Sequence, residues 1–328
     1  MMYYYYNVAV CFLMSARLLT HRVDAHSIQH SGSTSDSSSS DDVDKIIGGQ
    51  LVRIGEHKYM AYVVFNDKYV GCGGTLISDR HVLTAAHCLM DPDTGVADDK
   101  EQVYFNVYTV EPMDSTAIKR IVYKSDFRIH PKYNYKAPGK GYDIAILKLN
   151  PPLSSAEMSK LDKIRLGDDD DLIWIQTLAL GWGKTTDAES PGSPNFSPNL
   201  KQTKLKVLSR SECQAQWGTN YNHDIQLCTA PSDTQICTGD SGGPLLWQKY
   251  EKIPGTFQFN WDKIYGYQAG IVSFSTGNGG TSVVINRRKF YVDPFRSVSI
   301  RATRCAQGSV FTRVQSFVNN GWIAANMN

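Results

Sequence analysis

The chain has 328 residues, 41% of them apolar and 20% charged, with a formal net charge of +2. That length leaves room for one to three domains with a sizeable core, and the balance excludes a wholly disordered chain or a polytopic membrane protein. The basic excess that general binding to nucleic acid or an anionic membrane surface requires is also missing.

Charge is unevenly placed. Residues 1–45 hold three basic and five acidic side chains, which leaves a net +4 on residues 46–328. Val8 to Met14 is an unbroken apolar run, too short to cross a membrane and suited to the core of a secretory signal. It is followed by Val23-Asp24-Ala25, a cleavage site after Ala25. Four tyrosines stand before the run where a basic residue is usual. Residues 26–45 are Ser- and Asp-rich, unable to pack, and end in a single Lys45 before the apolar start Ile46-Ile47-Gly48-Gly49. This reads as a signal peptide over 1–25, an acidic activation propeptide over 26–45 and a folded body over 46–328. The protein is therefore expected to be secreted.

Strand-like segments follow in the body. Tyr59–Phe65 and Tyr69–Ile77 flank a turn at Asn66-Asp67-Lys68. Val103–Val110, Ile118–Tyr123, Ile144–Leu149, Leu172–Leu180 and Gln268–Phe274 are rich in β-branched and aromatic residues. Ala188–Asn199 is a proline-rich loop, with an acceptor triplet for a glycan at Asn195-Phe196-Ser197. Only the C-terminal stretch has a helical pattern, placing Phe317, Val318, Gly321, Trp322 and Ala325 on one face. Many short strands in a chain of this length predict an all-β sandwich or barrel.

Of the seven cysteines, Cys11 lies in the signal. The remaining six, Cys72, Cys88, Cys213, Cys228, Cys237 and Cys305, suit three disulfides in a secreted protein. There is no Cys-x-x-Cys pair to argue for structural zinc, and spacing does not choose among the possible pairings. No metal, nucleotide or haem pattern stands out, so no cofactor is expected.

Three strings carry chemistry: Thr84-Ala85-Ala86-His87-Cys88, the acid-headed strand Asp143-Ile144-Ala145-Ile146-Leu147-Lys148-Leu149, and Gly239-Asp240-Ser241-Gly242-Gly243-Pro244. A serine hydroxyl becomes a nucleophile when a neutral imidazole takes its proton, and the imidazole needs a carboxylate to set its tautomer. The order His, Asp, Ser is one of the orders in which that constellation occurs. Glycines beside the serine let the Gly239 and Ser241 N–H groups turn toward one oxyanion.

With these strings, together with the IIGG start, Gly181-Trp182-Gly183, Ile271–Phe274 (IVSF) and Val310–Val314 (VFTRV), the sequence resembles the chymotrypsin-like, trypsin-type serine proteases over residues 46–328. The resemblance implies two six-stranded antiparallel barrels, the first over about 46–165 and the second over about 166–328, with a C-terminal helix. It implies His87 as general base, Asp143 as its orienting partner, Ser241 as nucleophile, and Ser273 as the serine beside the aspartate. It implies the pairs Cys72–Cys88, Cys213–Cys228 and Cys237–Cys305; Thr177 and Trp247 stand where a further family disulfide would be. It also implies a zymogen cut between Lys45 and Ile46, whose new ammonium pairs with Asp240.

The specificity pocket departs from the trypsin pattern. Gln235 stands six residues before Ser241 where trypsins carry an acid, followed by the bulky Ile236. Ser275 and Ser309 replace wall glycines, and Phe274 replaces a tryptophan. An uncharged, narrowed pocket predicts substrates cut after small or medium uncharged residues, not after Arg or Lys. Expected partners are protein or peptide substrates, an activating Lys-cleaving protease and protein inhibitors, with no nucleic acid and no membrane span. Two insertions, Gln248–Tyr267 and the Arg-rich Thr276–Arg304, are expected as loops. Competing readings are a catalytically silent homologue that binds a partner through those loops, and an esterase of another fold, for which the strand-to-helix context is missing.

Overall fold

The computed structural model describes residues 49–65, 71–167, 176–185, 196–232, 234–252, 259–276, 282–283 and 308–328. The expected signal and propeptide, with Lys45 and Ile46, lie outside the described residues. So do the Asn66–Lys68 turn, Asn195, Cys305 and most of Thr276–Arg304.

The run Met60–Phe65 shows how the chain is organised. It pairs antiparallel with Gly71–Leu76 on one side and Lys100–Phe105 on the other, so that Val63 stands opposite both Cys72 and Val103. All six of its residues are buried. Ala61, Val63 and Phe65 enter one core with Leu83, Phe105 and Ile146, whereas Met60, Tyr62 and Val64 enter another with Leu180, Trp182 and Leu246. A strand covered on both faces reads as a continuous apolar run, and each large side chain buried there contributes about 1.5–3 kcal/mol.

Among the described residues the strands form two antiparallel sheets. One has seven strands, built outward from Met60–Phe65 and ending with His81–Thr84, Ala145–Lys148 and Phe127–Ile129 on one side and Ile118–Tyr123 on the other. The other has nine, centred on Gln176–Gly181, Pro244–Lys252, Phe259–Thr276 and Ser309–Arg313. The expected all-β architecture of paired antiparallel barrels is present. The strand counts exceed six because short segments close the edges, among them Phe127–Ile129, Ser282–Val283 and the parallel pair of Arg165–Leu166 with Tyr267–Gln268. Gln50–Leu51, near the start of the body, pairs with Lys201–Lys206 in the second sheet.

Several expectations are corrected. The strand expected over Val103–Val110 stops at Phe105, because Asn106 adopts a left-handed φ of 55° that turns the chain out of the ladder. The insertion Gln248–Tyr267 is a ladder in its described part, with Gln248 opposite Gly266 and Lys252 opposite Phe259. The single C-terminal helix is two, Val314–Asn319 and Trp322–Ala325, broken at Gly321 with φ 77°. Its buried face is Val314, Phe317 and Ile323, which pack on the first core; Val318, Gly321 and Ala325 are exposed. A further helix, Arg210–Trp217, was not anticipated. Its start was legible as a capping box, in which the Ser209 side chain accepts the Glu212 N–H and Glu212 reaches back to the Ser209 N–H.

Candidate active site

His87 sits in the single helical turn Ala86–Leu89 that follows the strand His81–Thr84. The next residue, Cys88, is disulfide-bonded to Cys72, which ties this turn to the strand Gly71–Leu76. The sulfurs of Cys72 and Cys88 lie close to the His87 ring. Because they are bonded to each other they offer no thiolate, so the cluster is not a metal centre.

Asp143 is 1% exposed at the head of the strand Ala145–Lys148, behind Tyr142 at a left-handed φ of 62°. Its Oδ1 accepts the His87 backbone N–H at 2.9 Å and its Oδ2 accepts from His87 Nδ1 at 2.7 Å. Ser273 Oγ donates to the same Oδ2 at 2.6 Å. Thr312 Oγ1 donates to the Asp143 carbonyl at 2.8 Å. Burial alone would push the Asp143 carboxyl up. The charge of His87 and the hydrogen bonds from His87 and Ser273 together outweigh it, and the group is held below its ordinary value. With Nδ1 donating to the carboxylate, Nε2 of a neutral His87 is left as an acceptor.

Ser241 lies in a turn shaped by Gly239 (φ 98°) and Gly242 (φ 75°), both in conformations that favour glycine. The turn is held between the two sheets. Gly73 N–H donates to the Ser241 carbonyl at 2.7 Å, and Gly242 N–H donates to the Val272 carbonyl at 3.0 Å. A Cβ on Gly242 would collide with the Gly73 carbonyl and Thr84 and lie 3.1 Å from Cys88 Sγ. Ser241 is 4% exposed, and its Oγ makes no hydrogen bond among the described residues.

Asp240 is buried beside Ser241. Its Oδ1 accepts the Gly183 N–H and its Oδ2 the Cys237 N–H, each at 2.8 Å. Burial pushes this carboxyl up to about 6, against the opposing pull of the two N–H donors.

The expected pocket residues are all buried. Ser275 and Ser309 stand opposite each other in the ladder, beside a bulge between Val272 and Phe274. Gln235 donates Nε2 to the Ser232 carbonyl at 2.6 Å, while its Oε1 and the Ser309 hydroxyl find no hydrogen-bond partner among the described residues. Phe274 packs edge-on against Trp217 with centroids 5.5 Å apart, over the disulfide Cys213–Cys228. Ile236 belongs to the core of the second sheet with Leu245, Val272 and Phe311. Cys237 is also disulfide-bonded. In place of a further disulfide, Thr177 Oγ1 donates to the Leu205 carbonyl at 3.0 Å and Trp247 packs on Tyr267.

The trypsin family model matches residues 46–293 of this chain. The chain belongs to the trypsin family. Among its relatives, a trypsin of Saccharopolyspora erythraea is 27% identical over 205 residues, covering 61% of this chain and 81% of that protein. A venom serine protease of Polistes dominula is 29% identical over 212 residues, covering 63% of this chain and 72% of that protein. A solved structure described as "Structure of GrC" superposes with a TM-score of 0.60 at 25% identity, over 85% of this chain and 98% of that one. Sequence reasoning missed Gly73, which braces the site from a remote strand with no local pattern to mark it. Thr84 and Thr312 stand inside two of the sequence motifs, but their hydrogen bonds to the Gly73 and Asp143 carbonyls were not anticipated.

Proposed function

We propose that the chain is a secreted serine endopeptidase made as a zymogen, with Ser241, His87 and Asp143 as its catalytic residues. The observation that carries this reading is the buried Asp143 carboxylate. It grips His87 at two points, which sets the imidazole with Nε2 free to act as base. Ser241 Oγ attacks the scissile carbonyl while its proton passes to His87 Nε2. The tetrahedral oxyanion is received by the N–H groups of Gly239 and Ser241. His87 then protonates the leaving amine, the C–N bond breaks and an acyl-enzyme remains. Water, deprotonated by His87, hydrolyses the ester and restores Ser241.

In the zymogen reading, cutting between Lys45 and Ile46 frees an ammonium that pairs with Asp240 and braces the Gly239–Ser241 turn. A carboxylate already buried and pushed up to about 6 would gain strongly from such a partner. Because Gln235 supplies no charge, cleavage after Arg or Lys is disfavoured, so activation falls to another, Lys-cleaving protease. Secretion accords with the disulfides and with the absence, among the described residues, of any helix long and apolar enough to cross a membrane.

The test is to treat the full chain with a Lys-specific protease, sequence the new N-terminus and add a covalent serine titrant. Labelling of Ser241 that appears only with an Ile46 terminus is expected. Full activity in the uncut chain, or in Ser241→Ala after cutting, overturns the reading.

A further inference from the structure

The chain enters Asp143 through two consecutive left-handed residues, Gly141 at φ 81° and Tyr142 at φ 62°. The first is a glycine, to which that region is open, and a Cβ there would collide with the Ile225 side chain. The second is a bulky aromatic residue. For such a residue the left-handed region is an outlier, with a bias of about ten-fold against it. A strained residue persists only where its surroundings hold it. Here it directly precedes the carboxylate that grips His87.

His130 supplies that hold. It follows the edge strand Phe127–Ile129 and reaches both neighbours of Asp143. Its backbone N–H donates to the Ile144 carbonyl at 3.1 Å, and the Ile144 N–H donates in turn to the Tyr142 carbonyl at 2.9 Å, spanning Asp143. Its ring stacks on the Tyr142 ring, with centroids 4.9 Å apart and planes 22° from parallel. Phe317 meets the same imidazole edge-on at 5.3 Å, and Trp322 lies 5.1 Å from it, one from each C-terminal helix. Lys132 adds a cation 5.3 Å over the Tyr142 ring.

The imidazole is itself fixed by a turn. The His130 carbonyl accepts the Tyr133 N–H at 3.0 Å, and Nδ1 accepts the Lys132 N–H at 3.2 Å. A ring nitrogen accepts only in the neutral imidazole. Burial, and after it the charge of Lys132, lower the His130 value below the ordinary one and keep the ring in that form. A buried ring, locked by its own turn and by two helices, thus lies flat against a side chain whose backbone is strained.

We propose that His130 is a positioning residue of the catalytic site: by stacking on Tyr142 it holds the left-handed link that aims the Asp143 carboxylate at His87. The proposal rests on the endopeptidase reading above. It also makes the C-terminal helices part of the support of that site, through Phe317 and Trp322.

The test uses the full chain cut after Lys45, assayed on a short ester. His130→Ala removes the ring and keeps the backbone N–H. It should lower kcat about ten-fold and leave KM within about two-fold. His130→Phe keeps a flat ring and should recover most of the loss. Asparagine enters the left-handed region more readily than tyrosine. In Tyr142→Asn, therefore, adding His130→Ala should change kcat by less than about two-fold, because the strained link is gone. If His130→Ala does not fold, His130→Leu, which fills the space without a flat ring, replaces it in every comparison. A second readout needs no turnover. In the cut Ser241→Ala protein, the proton between His87 Nδ1 and Asp143 Oδ2 gives a strongly deshielded ¹H resonance, identified by its loss in Asp143→Asn. It should broaden or move upfield in His130→Ala and return in His130→Phe. An equal loss of kcat with and without Tyr142→Asn, a loss in KM alone, an inactive Tyr142→Asn, or an unmoved His87 resonance overturns the proposal. If the unaltered chain does not hydrolyse the ester, the endopeptidase reading fails. The resonance then decides alone: displaced in His130→Ala and restored with Tyr142→Asn it supports the positioning role, and unmoved it overturns it.

Discussion

The Asp240 carboxylate and Gly183 occupy adjoining space: Oδ1 accepts the Gly183 N–H at 2.8 Å, and a Cβ on Gly183 would collide with the carboxylate. Gly183→Ala should therefore displace Asp240 and the turn that bears Ser241. Overpacking of this kind costs about 1–3 kcal/mol. A lower Tm and a loss of active-site titration of at least ten-fold are expected, and an unchanged titre would show that the turn tolerates the shift.

The same carboxylate should make stability depend on pH and, in the zymogen reading, on cleavage after Lys45. Its folded value, about 6, lies above the ordinary 3.8. Its contribution is thus full below about 3.8 and is lost as pH rises through 6, a change of about 3 kcal/mol. In the uncut chain Tm should fall between pH 4 and pH 7. Cutting after Lys45 supplies a cation and should remove that fall. Thermal melts of Ser241→Ala, cut and uncut, decide it: identical pH dependence would separate Asp240 from Ile46.

Asp143→Asn keeps the shape but loses the charge and the acceptor that set the His87 tautomer. A loss of about 10⁴-fold in kcat is expected, the size known for the same exchange in serine proteases of this kind. The measurement is single-turnover hydrolysis of an ester; a loss below ten-fold would remove Asp143 from the proposed mechanism.

Ser273 acts on Asp143 through its 2.6 Å hydrogen bond. Removing a donor to a charged acceptor is worth about 1.5–3 kcal/mol, so Ser273→Ala should lower kcat/KM by roughly ten-fold or more. Asp143 would then take up a proton more readily, so the acid limb of the pH–rate profile should move to higher pH. Ser273→Thr, which retains the hydroxyl, should recover part of both. A uniform loss with an unmoved acid limb would mean that Ser273 only packs.

Gln235 is buried with no charge to offer. A peptide library should show little cleavage after Arg or Lys, and Gln235→Asp should increase it at least ten-fold. Dominant cleavage after basic residues by the unaltered enzyme would place another acid at the pocket.

Read alone, the sequence determined what depends on short stretches. The all-β class followed from β-branched runs such as Ile118–Tyr123, whose limits agree with the structure. The candidate site was legible because His87, Asp143 and Ser241 each sit in a short motif whose local geometry the neighbouring residues impose. What only the tertiary structure decided are the relations across long separations. Asp143 meets His87 across 56 positions and Ser273 across 130, and Gly73 holds Ser241 from the other sheet. The end of a strand at Asn106 and the break at Gly321 were set by single left-handed residues that periodicity does not register. The contact between Tyr62 and Trp182 had no signature at all. It arises because the outer face of one strand, itself an ordinary apolar run, is covered by the strand Gln176–Gly181 and its neighbours, more than a hundred residues later in the chain.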